Sequence, residues 1–256
     1  MDFVDQLNRT IHLEKTPERI ISLVPSQTEL LYDLGLESSV VGITKFCIHP
    51  DEWFRNKTRV GGTKQVDIKN VRSLKPDLII ANKEENTKED IAQLELICPV
   101  WISDVNAIED AYGMILSIGQ MTNKEEKTEQ LVSQLRIAFS SVGELFQQKR
   151  FLYLIWKDPY YLAGKNTFID AMLTAVGFVN AESRERYPEF EGPNPNADLI
   201  LLSTEPYPFK DEHLEQVARD FNCKEVFLID GEMCSWYGSR MLKSVDYFRE
   251  LSRSIL

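Results

Sequence analysis

The sequence predicts an α/β fold with two Rossmann-like lobes, whose sheets are mostly parallel, bridged by one long α-helix. An internal repeat carries this prediction: the stretch Asp77–Glu84 (DLIIANKE) returns as Asp198–Glu205 (DLILLSTE). Each copy is a short apolar run, typical of a strand buried on both faces, followed by a glutamate. The segments that open the two halves, Arg19–Val24 and Arg150–Ile155, resemble each other as well. Two pairs of similar segments in the same order favour a duplicated strand–helix–strand architecture.

Strand and helix signals alternate along the first half of the chain. The expected strands are at 20–24, 40–43, 78–81 and 100–102, and the expected helices are at 28–34, 88–97 and 108–120. Such alternation predicts a mostly parallel sheet with helices on its faces.

The middle of the chain predicts one long amphipathic helix. Thr122–Glu125 has the spacing of a capping box, and apolar residues then recur at steps of three and four from Leu131 to Leu145. A helix of about 25 residues would be about 37 Å long. We therefore expect an N-terminal lobe at 1–121, a bridging helix at 122–148 and a C-terminal lobe at 149–256.

The second half repeats the pattern of the first. The expected strands are at 151–156, 199–202 and 226–229, and the expected helices are at 167–176, 212–221 and 240–251. The two halves are therefore expected to be lobes of the same type.

The bulk composition limits the function classes. The chain of 256 residues has a net charge of -11, which argues against a nucleic-acid or anionic-membrane surface. No apolar run approaches a membrane span, and the N-terminus as written lacks the features of a secretory signal. We expect a cytoplasmic protein as written, and a periplasmic one if the start is truncated. The four cysteines show no CxxC spacing, and no GxGxxG or P-loop pattern occurs.

Ligands of parallel sheets bind beyond the carboxyl ends of the strands, where this sequence is rich in polar and aromatic residues. The candidate ligand-binding residues are Pro25, Ser26, Lys45, Phe46, His49, Lys64, Lys83, Glu84, Trp156, Tyr187, Glu205, Tyr207, Glu232, Trp236, Tyr237 and Arg240. The aromatic residues suit a large, flat, partly apolar ligand, although packing in the core would explain them as well. Arg240 favours an anionic group or a simple salt bridge, and Ser26 either caps a helix or binds ligand.

Two further sets of residues allow a chemical interpretation. Cys47 and His49 lie on one side of an extended segment and could share a metal, whereas a buried thiol beside a hydrogen-bonded histidine is the alternative. Glu84, Glu85 and Glu205 could act as acid and base, whereas glutamates in a solvated loop are the alternative.

Several motifs resemble the substrate-binding proteins of ABC importers for cobalamin and iron complexes, the helical-backbone metal receptors. The similar segments are 19–30 (RIISLVPSQTEL), 41–43 (VGI), 74–81 (LKPDLIIA) and the Trp236–Tyr237 region, and they look most like the cobalamin-binding branch. The resemblance covers nearly the whole chain. It implies two strand-helix lobes bridged by one long helix, with a ligand in the cleft between them and little hinge motion.

The resemblance also implies roles for single residues. His49 falls where a cobalamin-contacting aromatic residue is expected, Trp236 falls where a cleft tryptophan is expected, and Pro25 and Ser26 fall on the cleft floor. Family members are exported or lipid-anchored and dock on an ABC permease with one surface glutamate per lobe. Those two positions fall near Lys88 and around 212–215 in this chain.

We therefore expect a noncatalytic binding protein that captures a metal complex, a corrinoid such as cobalamin or an iron complex, with an ABC permease as its partner. The alternative is a cytoplasmic metal-handling protein or enzyme that reuses the same cleft, with Cys47 and His49 as metal ligands. We expect no resident cofactor, no nucleic-acid partner and no membrane span.

Overall fold

The computed structural model describes residues 1–193 and 196–255. Contacts divide the chain into two compact units. Unit 1 comprises Met1–Val105, Glu109–Ser133 and Tyr237–Arg240. Unit 2 comprises Asn106–Ile108, Gln134–Trp236 and the segment that begins at Met241. The chain passes from unit 1 to unit 2 between Ser133 and Gln134, and it returns to unit 1 for four residues near its C-terminus.

Unit 1 contains a parallel sheet and two antiparallel strand pairs. Its strands are β1 (Asp2–Val4), β2 (Thr10–His12), β3 (Ile20–Ser22), β4 (Val40–Ile43), β5 (Thr58–Arg59), β6 (Gly61–Gly62), β7 (Gln65–Val66), β8 (Leu78–Asn82) and β9 (Val100–Ser103). The parallel sheet has the order β5-β4-β3-β8-β9, while β1 pairs with β2 and β6 pairs with β7. The first helices of the chain are α1 (Pro25–Asp33), α2 (Asp51–Asn56), α3 (Ile68–Leu74), α4 (Lys88–Leu94), α5 (Ile108–Thr122) and α6 (Glu125–Ser140).

Unit 2 contains a second, mostly parallel sheet. Its elements are β10 (Arg150–Trp156), β11 (Tyr161–Leu162), α7 (Phe168–Ala175), β12 (Val179–Asn180), β13 (Leu199–Ser203), a 3-10 turn (Asp211–His213), α8 (Leu214–Asp220), β14 (Val226–Ile229), α9 (Gly231–Ser235) and α10 (Met241–Ile255). The strand order is β11-β10-β13-β14, and β12 pairs with the start of β10. Only β11 pairs in antiparallel fashion in this sheet, as far as the structure describes it. The predicted α/β class with mostly parallel sheets is confirmed.

The internal repeat corresponds to the same structural element in both units. β8 and β13 are the repeated strands, and every residue of both is buried, as expected for central strands of sheets covered on two faces. The aspartate before each strand accepts a hydrogen bond from an arginine at the start of the first strand of that sheet, Arg19 directly before β3 and Arg150 as the first residue of β10. The backbone N–H of Arg19 donates to Oδ1 of Asp77 at 2.8 Å, and that of Arg150 donates to Oδ2 of Asp198 at 2.7 Å.

The predicted helix over 122–148 is too long. Helix α6 has 16 residues, which gives it a length of about 24 Å. Thr122 does not open it, because its hydroxyl donates to the carbonyl of Ile118 in the last turn of α5. The helix ends at Ser140, and Phe146, beyond its end, stacks on Phe178 with a centroid distance of 3.8 Å.

Candidate functional site

The loops after β4 and β8 carry five of the predicted ligand-binding residues of unit 1, Lys45, Phe46, His49, Lys83 and Glu84. Residues 44–49 follow β4, and residues 83–86 follow β8. Both strands belong to one parallel sheet, so both loops leave it at the carboxyl end, where ligands of such sheets bind.

Phe46 presents an aromatic ring to solvent in unit 1. Its side chain is 50% exposed, and Nζ of Lys45 lies 5.1 Å from the centroid of its ring. The ring lies over the hairpin of β6 and β7, because a Cβ built at Gly62 would be only 3.3 Å from Cε2 of Phe46. An exposed ring beside a cation can contact a flat ligand that carries negative charge.

Asn82, the last residue of β8, organises the second loop, and the sequence analysis missed it. Its Oδ1 accepts hydrogen bonds from the backbone N–H groups of Glu84 and Glu85, at 2.8 and 3.1 Å. Its Nδ2 donates to Oγ of Ser103 at 3.0 Å. The signal lay in the repeat, since Ser203 occupies the same position in the second copy and accepts from the N–H of Glu205 at 3.3 Å.

The charged residues of this loop differ in their surroundings. Lys83 and Glu84 are exposed, and Nζ of Lys83 lies 2.6 Å from a carboxylate oxygen of Asp104. Glu85 is half-buried, and burial raises the pKa of its carboxyl against the opposing effect of Lys64. Lys83 is therefore already paired, and Glu84 is exposed at the surface, as the alternative interpretation expects.

Cys47 is an enclosed thiol. Its side chain is 0% exposed, and Sγ lies 3.1 Å from Oγ1 of Thr28 and 3.2 Å from Oγ1 of Thr44. Burial raises the pKa of this thiol, which disfavours the thiolate that binds metals. His49 is half-buried in the same loop. Within residues 1–193 and 196–255, no three His, Cys, Asp or Glu side chains are grouped to hold a metal ion. The geometry favours the buried thiol over the predicted Cys47–His49 metal pair.

Arg240 forms a buried ion pair. Its Nε donates to Oε2 of Glu29 at 2.6 Å within unit 1, and its side chain is only 5% exposed. The salt-bridge alternative is therefore the one found. Ser26 is buried too, and α1 starts without a side-chain cap, so the predicted capping role of Ser26 is wrong. Pro25 occupies the first turn of that helix and is half-buried.

A pocket of about 420 Å³ opens at the carboxyl end of the sheet in unit 2. It is lined by Thr204, Glu205, Leu228, Ile229, Asp230 and Glu232, which come from the ends of β13 and β14 and from the start of α9. Two of these residues, Glu205 and Glu232, belong to the predicted set. Three carboxyl groups line this pocket, so it suits a ligand group that donates hydrogen bonds or carries positive charge.

Glu205 is held from one side in this pocket. Its Oε1 accepts a hydrogen bond from Nε1 of Trp236 at 2.9 Å and another from Oγ of Ser235 at 3.1 Å. Burial raises the pKa of the Glu205 carboxyl; the hydrogen bond from Ser235 opposes this shift, Glu232 adds to it, and the bond from Trp236 opposes it. The loop fits closely, since a Cβ at Gly231 would lie 2.5 Å from Cγ of Glu205.

Trp236 and Tyr237 are largely buried. Both side chains are only 8% exposed, as the packing alternative expects, and their contact with a ligand stays a prediction. Trp236 is a hydrogen-bond donor to a residue that lines the pocket.

Other aromatic residues of unit 2 are accessible. Trp156, the last residue of β10, is 43% exposed and meets Tyr207 edge-on, with a centroid distance of 5.6 Å. Tyr187 is 37% exposed, and the guanidinium of Arg186 lies 5.4 Å from its ring centroid. Trp156 and Tyr187 thus expose apolar surface, and their contact with a ligand stays a prediction.

Comparisons with known proteins establish the family of the chain. Residues 20–206 match the family described as "Periplasmic binding protein". The chain belongs to the periplasmic binding protein family. This confirms the resemblance to substrate-binding proteins that the opening motif and the LKPDLIIA segment indicate.

Two curated relatives of this periplasmic binding protein are similar over most of the chain. The first is an uncharacterized ABC transporter substrate-binding lipoprotein, YvrC of Bacillus subtilis, which is 31% identical over 188 residues, 69% of this chain and 59% of the relative. The second is a vitamin B12-binding protein of Yersinia pestis, which is 26% identical over 178 residues, 67% of this chain and 63% of the relative. The matched region thus spans about three fifths of the length of these relatives.

A solved structure supports the same fold. The petrobactin-binding protein YclQ of Bacillus subtilis superposes with a TM-score of 0.80 at 19% identity, covering 100% of this chain and 98% of that one. At this identity the likeness concerns the fold alone. Among the helices that the structure describes, none has the length and apolar character needed to cross a membrane.

Proposed function

We propose that this periplasmic binding protein captures a metal complex without catalysing a reaction, and that the complex is a corrinoid such as cobalamin. The observation that carries the proposal is the exposure of Phe46 and Trp156, which stand 50% and 43% exposed at the carboxyl ends of two parallel sheets. Large aromatic side chains are normally buried, and in such loops they suit a flat ligand with an apolar face.

The choice of a corrinoid rests on similarity. The motifs at the start of the chain resemble the cobalamin-binding branch, and one curated relative is a vitamin B12-binding protein. Docking on an ABC permease stays a prediction; α4 begins with Lys88, with Glu89 beside it, near the position where the resemblance implies a docking glutamate. The alternative function, a cytoplasmic metal-handling protein, has little support, since the thiol of Cys47 is enclosed.

The test is a titration of the protein with cyanocobalamin and dicyanocobinamide. Hemin and a ferric siderophore are titrated in the same way, as representatives of the other classes of metal complex. Quenching of tryptophan emission and calorimetry report binding. We expect a Kd below about 1 μM for a corrinoid, which corresponds to about -8 kcal/mol. Saturable binding of hemin or the siderophore alone would move the assignment to another metal complex, and no binding of any of the four would remove the proposal.

Four variants locate the site. Phe46→Ala and Trp156→Ala should each weaken binding by about tenfold or more, since stacked aromatic contacts contribute on the order of 1 kcal/mol beyond the buried area. Leu96→Ala and Ile137→Ala are controls, because these side chains are 80% and 67% exposed outside the loops after the strands. All four should keep the melting temperature. Equal affinity of Phe46→Ala, Trp156→Ala and the controls would remove the proposed contact surfaces.

A further inference from the structure

One carboxylate oxygen of Glu205 is engaged and the other is not. Oε1 receives the two hydrogen bonds from Trp236 and Ser235. Oε2 has no hydrogen-bond partner among residues 1–193 and 196–255, and Glu205 lines the pocket of about 420 Å³. A carboxylate with one fixed oxygen and one open oxygen is an acceptor with a defined direction.

The two donors to Glu205 are not equivalent. The hydroxyl of Ser235 also lies 2.8 Å from the carbonyl oxygen of Gly231, and a single proton serves only one of these two acceptors at a time. The indole of Trp236 has one N–H, and it points at Oε1 of Glu205 at 2.9 Å. The ring cannot easily turn, because it is only 8% exposed. Trp236 is therefore the more constant donor.

The backbone around the pair is held by its own contacts. The N–H of Gly231 donates to Oγ1 of Thr204 at 2.9 Å, and Oδ1 of Asp230 accepts from the N–H of Glu232 at 2.9 Å. Thr204, which precedes Glu205, is thus hydrogen-bonded to the start of α9, the helix that leads to Trp236. These contacts hold the donor and the acceptor in their relative position.

We propose that Trp236 is a positioning residue, whose indole N–H holds one oxygen of Glu205 so that the other oxygen accepts a hydrogen bond from an N–H group of the ligand. This inference rests on the proposed function, and it narrows the ligand class to metal complexes with amide or ammonium groups at their periphery. Corrinoids, with amide side chains on the ring, belong to that class. Trp236 acts through Glu205 and not by stacking its ring on the ligand.

The pKa of the Glu205 carboxyl reports on the hydrogen bond from Trp236. The ionisable groups that face Glu205 are Asp230 and Glu232 beside the pocket, Cys234 on α9 and Tyr153 on β10. Burial raises the pKa of Glu205, and the donors Ser235 and Trp236 lower it by stabilising the charged form. Loss of the Trp236 N–H should therefore raise the pKa of Glu205 further.

The first arm of the experiment needs no ligand. The Glu205 carboxyl is titrated by carbon NMR in protein labelled at the glutamate carboxyl carbons, and Glu205→Gln assigns the signal. In Trp236→Phe, which keeps an aromatic ring but lacks the N–H, the midpoint should move to higher pH; in Ser235→Ala it should move in the same direction. The matched control is Trp101→Phe, which removes a buried indole N–H that has no hydrogen-bond partner in the described residues. An unmoved midpoint in Trp236→Phe overturns the proposal.

The second arm measures binding of cyanocobalamin and dicyanocobinamide between pH 4 and pH 8. Trp236→Phe and Glu205→Gln should each weaken binding by about tenfold, the effect of one hydrogen bond to a charged group, and Trp101→Phe should not. Wild-type affinity should fall as pH falls through the Glu205 midpoint, and Glu205→Gln should lose this dependence.

If the wild type binds a probe and Trp236→Phe binds it with the same affinity, the inference is overturned and the proposed function stays intact. If the wild type binds neither probe, the proposed function fails and the first arm decides the positioning role. Should Trp236→Phe fail to fold, β-(3-benzothienyl)alanine incorporated at position 236 carries both arms, since it keeps the shape of the indole and lacks the N–H.

Discussion

Nε of Arg240 donates to Oε2 of Glu29 at 2.6 Å, and the two side chains are 5% and 6% exposed. The pair joins α1 to the short segment 237–240, which belongs to unit 1 although the residues on either side of it belong to unit 2. A buried charge that loses its partner is left without solvation. Arg240→Met should therefore lower the free energy of unfolding by about 3–5 kcal/mol. Urea unfolding followed by circular dichroism measures this change.

Two further variants show whether the loss of stability in Arg240→Met comes from the buried, unpaired charge of Glu29. The double variant Glu29→Met/Arg240→Met should regain much of the lost stability, because no unpaired charge then remains buried. Arg55→Met breaks an ion pair with Asp51 whose side chains are 73% and 68% exposed, and it should cost less than about 1 kcal/mol. Equal losses in Arg240→Met and Arg55→Met would contradict the role of burial.

The fold could be predicted because its signals are local. A strand buried on both faces needs a continuous apolar run, and Leu78–Asn82 and Leu199–Ser203 show it in the sequence itself. The repeated aspartates, Asp77 and Asp198, were part of the same signal, and each binds the arginine that opens its half. Because the pattern is duplicated, one set of sequence signals predicts the strands of both halves.

The site could be predicted only in part, because its details depend on distant partners. Arg240 looks like an anion site in the sequence, and only Glu29, 211 residues away, shows that it is a buried ion pair. The role of Trp236 also depends on a partner that is distant in the sequence, because its indole N–H donates to Glu205. The apolar periodicity continues to Leu145, so it could not show that α6 ends at Ser140.

Gly231 leaves no room for a side chain beside Glu205. A Cβ at this position would lie 2.5 Å from Cγ of Glu205 and 2.5 Å from Oγ of Ser203. Gly231→Ala should lower the free energy of unfolding by about 1–3 kcal/mol and displace Glu205 in the pocket. Thermal unfolding measures the first effect, and the pH dependence of ligand binding measures the second. Gly113→Ala is the control, because its nearest contact would be at 3.8 Å and alanine favours a helix interior. A loss of stability in Gly113→Ala equal to that in Gly231→Ala would contradict the argument.

Glu85 should make the stability of the protein depend on pH. Burial raises the pKa of this carboxyl in the folded state, so the folded protein holds its proton where the unfolded chain has released it. The free energy of unfolding should therefore fall as pH rises from the ordinary glutamate range through the raised pKa. Glu85→Gln should be more stable than the wild type at pH 8 and should lose this advantage near pH 4. Urea unfolding at the two pH values measures the difference.

The control for Glu85 is Glu129→Gln, at an exposed position in the second turn of α6. A surface substitution of this kind should change the free energy of unfolding by less than about 0.5 kcal/mol at both pH values. A gain at pH 8 that appears equally in both variants would show that net charge, and not burial of Glu85, is its cause.

The cysteines should be protected in the native protein. Cys47 and Cys234 are 0% exposed, burial raises the pKa of both thiols, and it raises the pKa of Cys98 to about 12. Because the thiolate is the reactive form, we expect almost no reaction with a disulfide reagent at pH 8 in the native state and four reactive thiols in urea. Cys98→Ser is the control, since it should remove one thiol from the count in urea and leave the native protein unchanged. Rapid native modification of Cys47 that zinc slows would restore the metal-ligand interpretation, because only an accessible thiolate can do both.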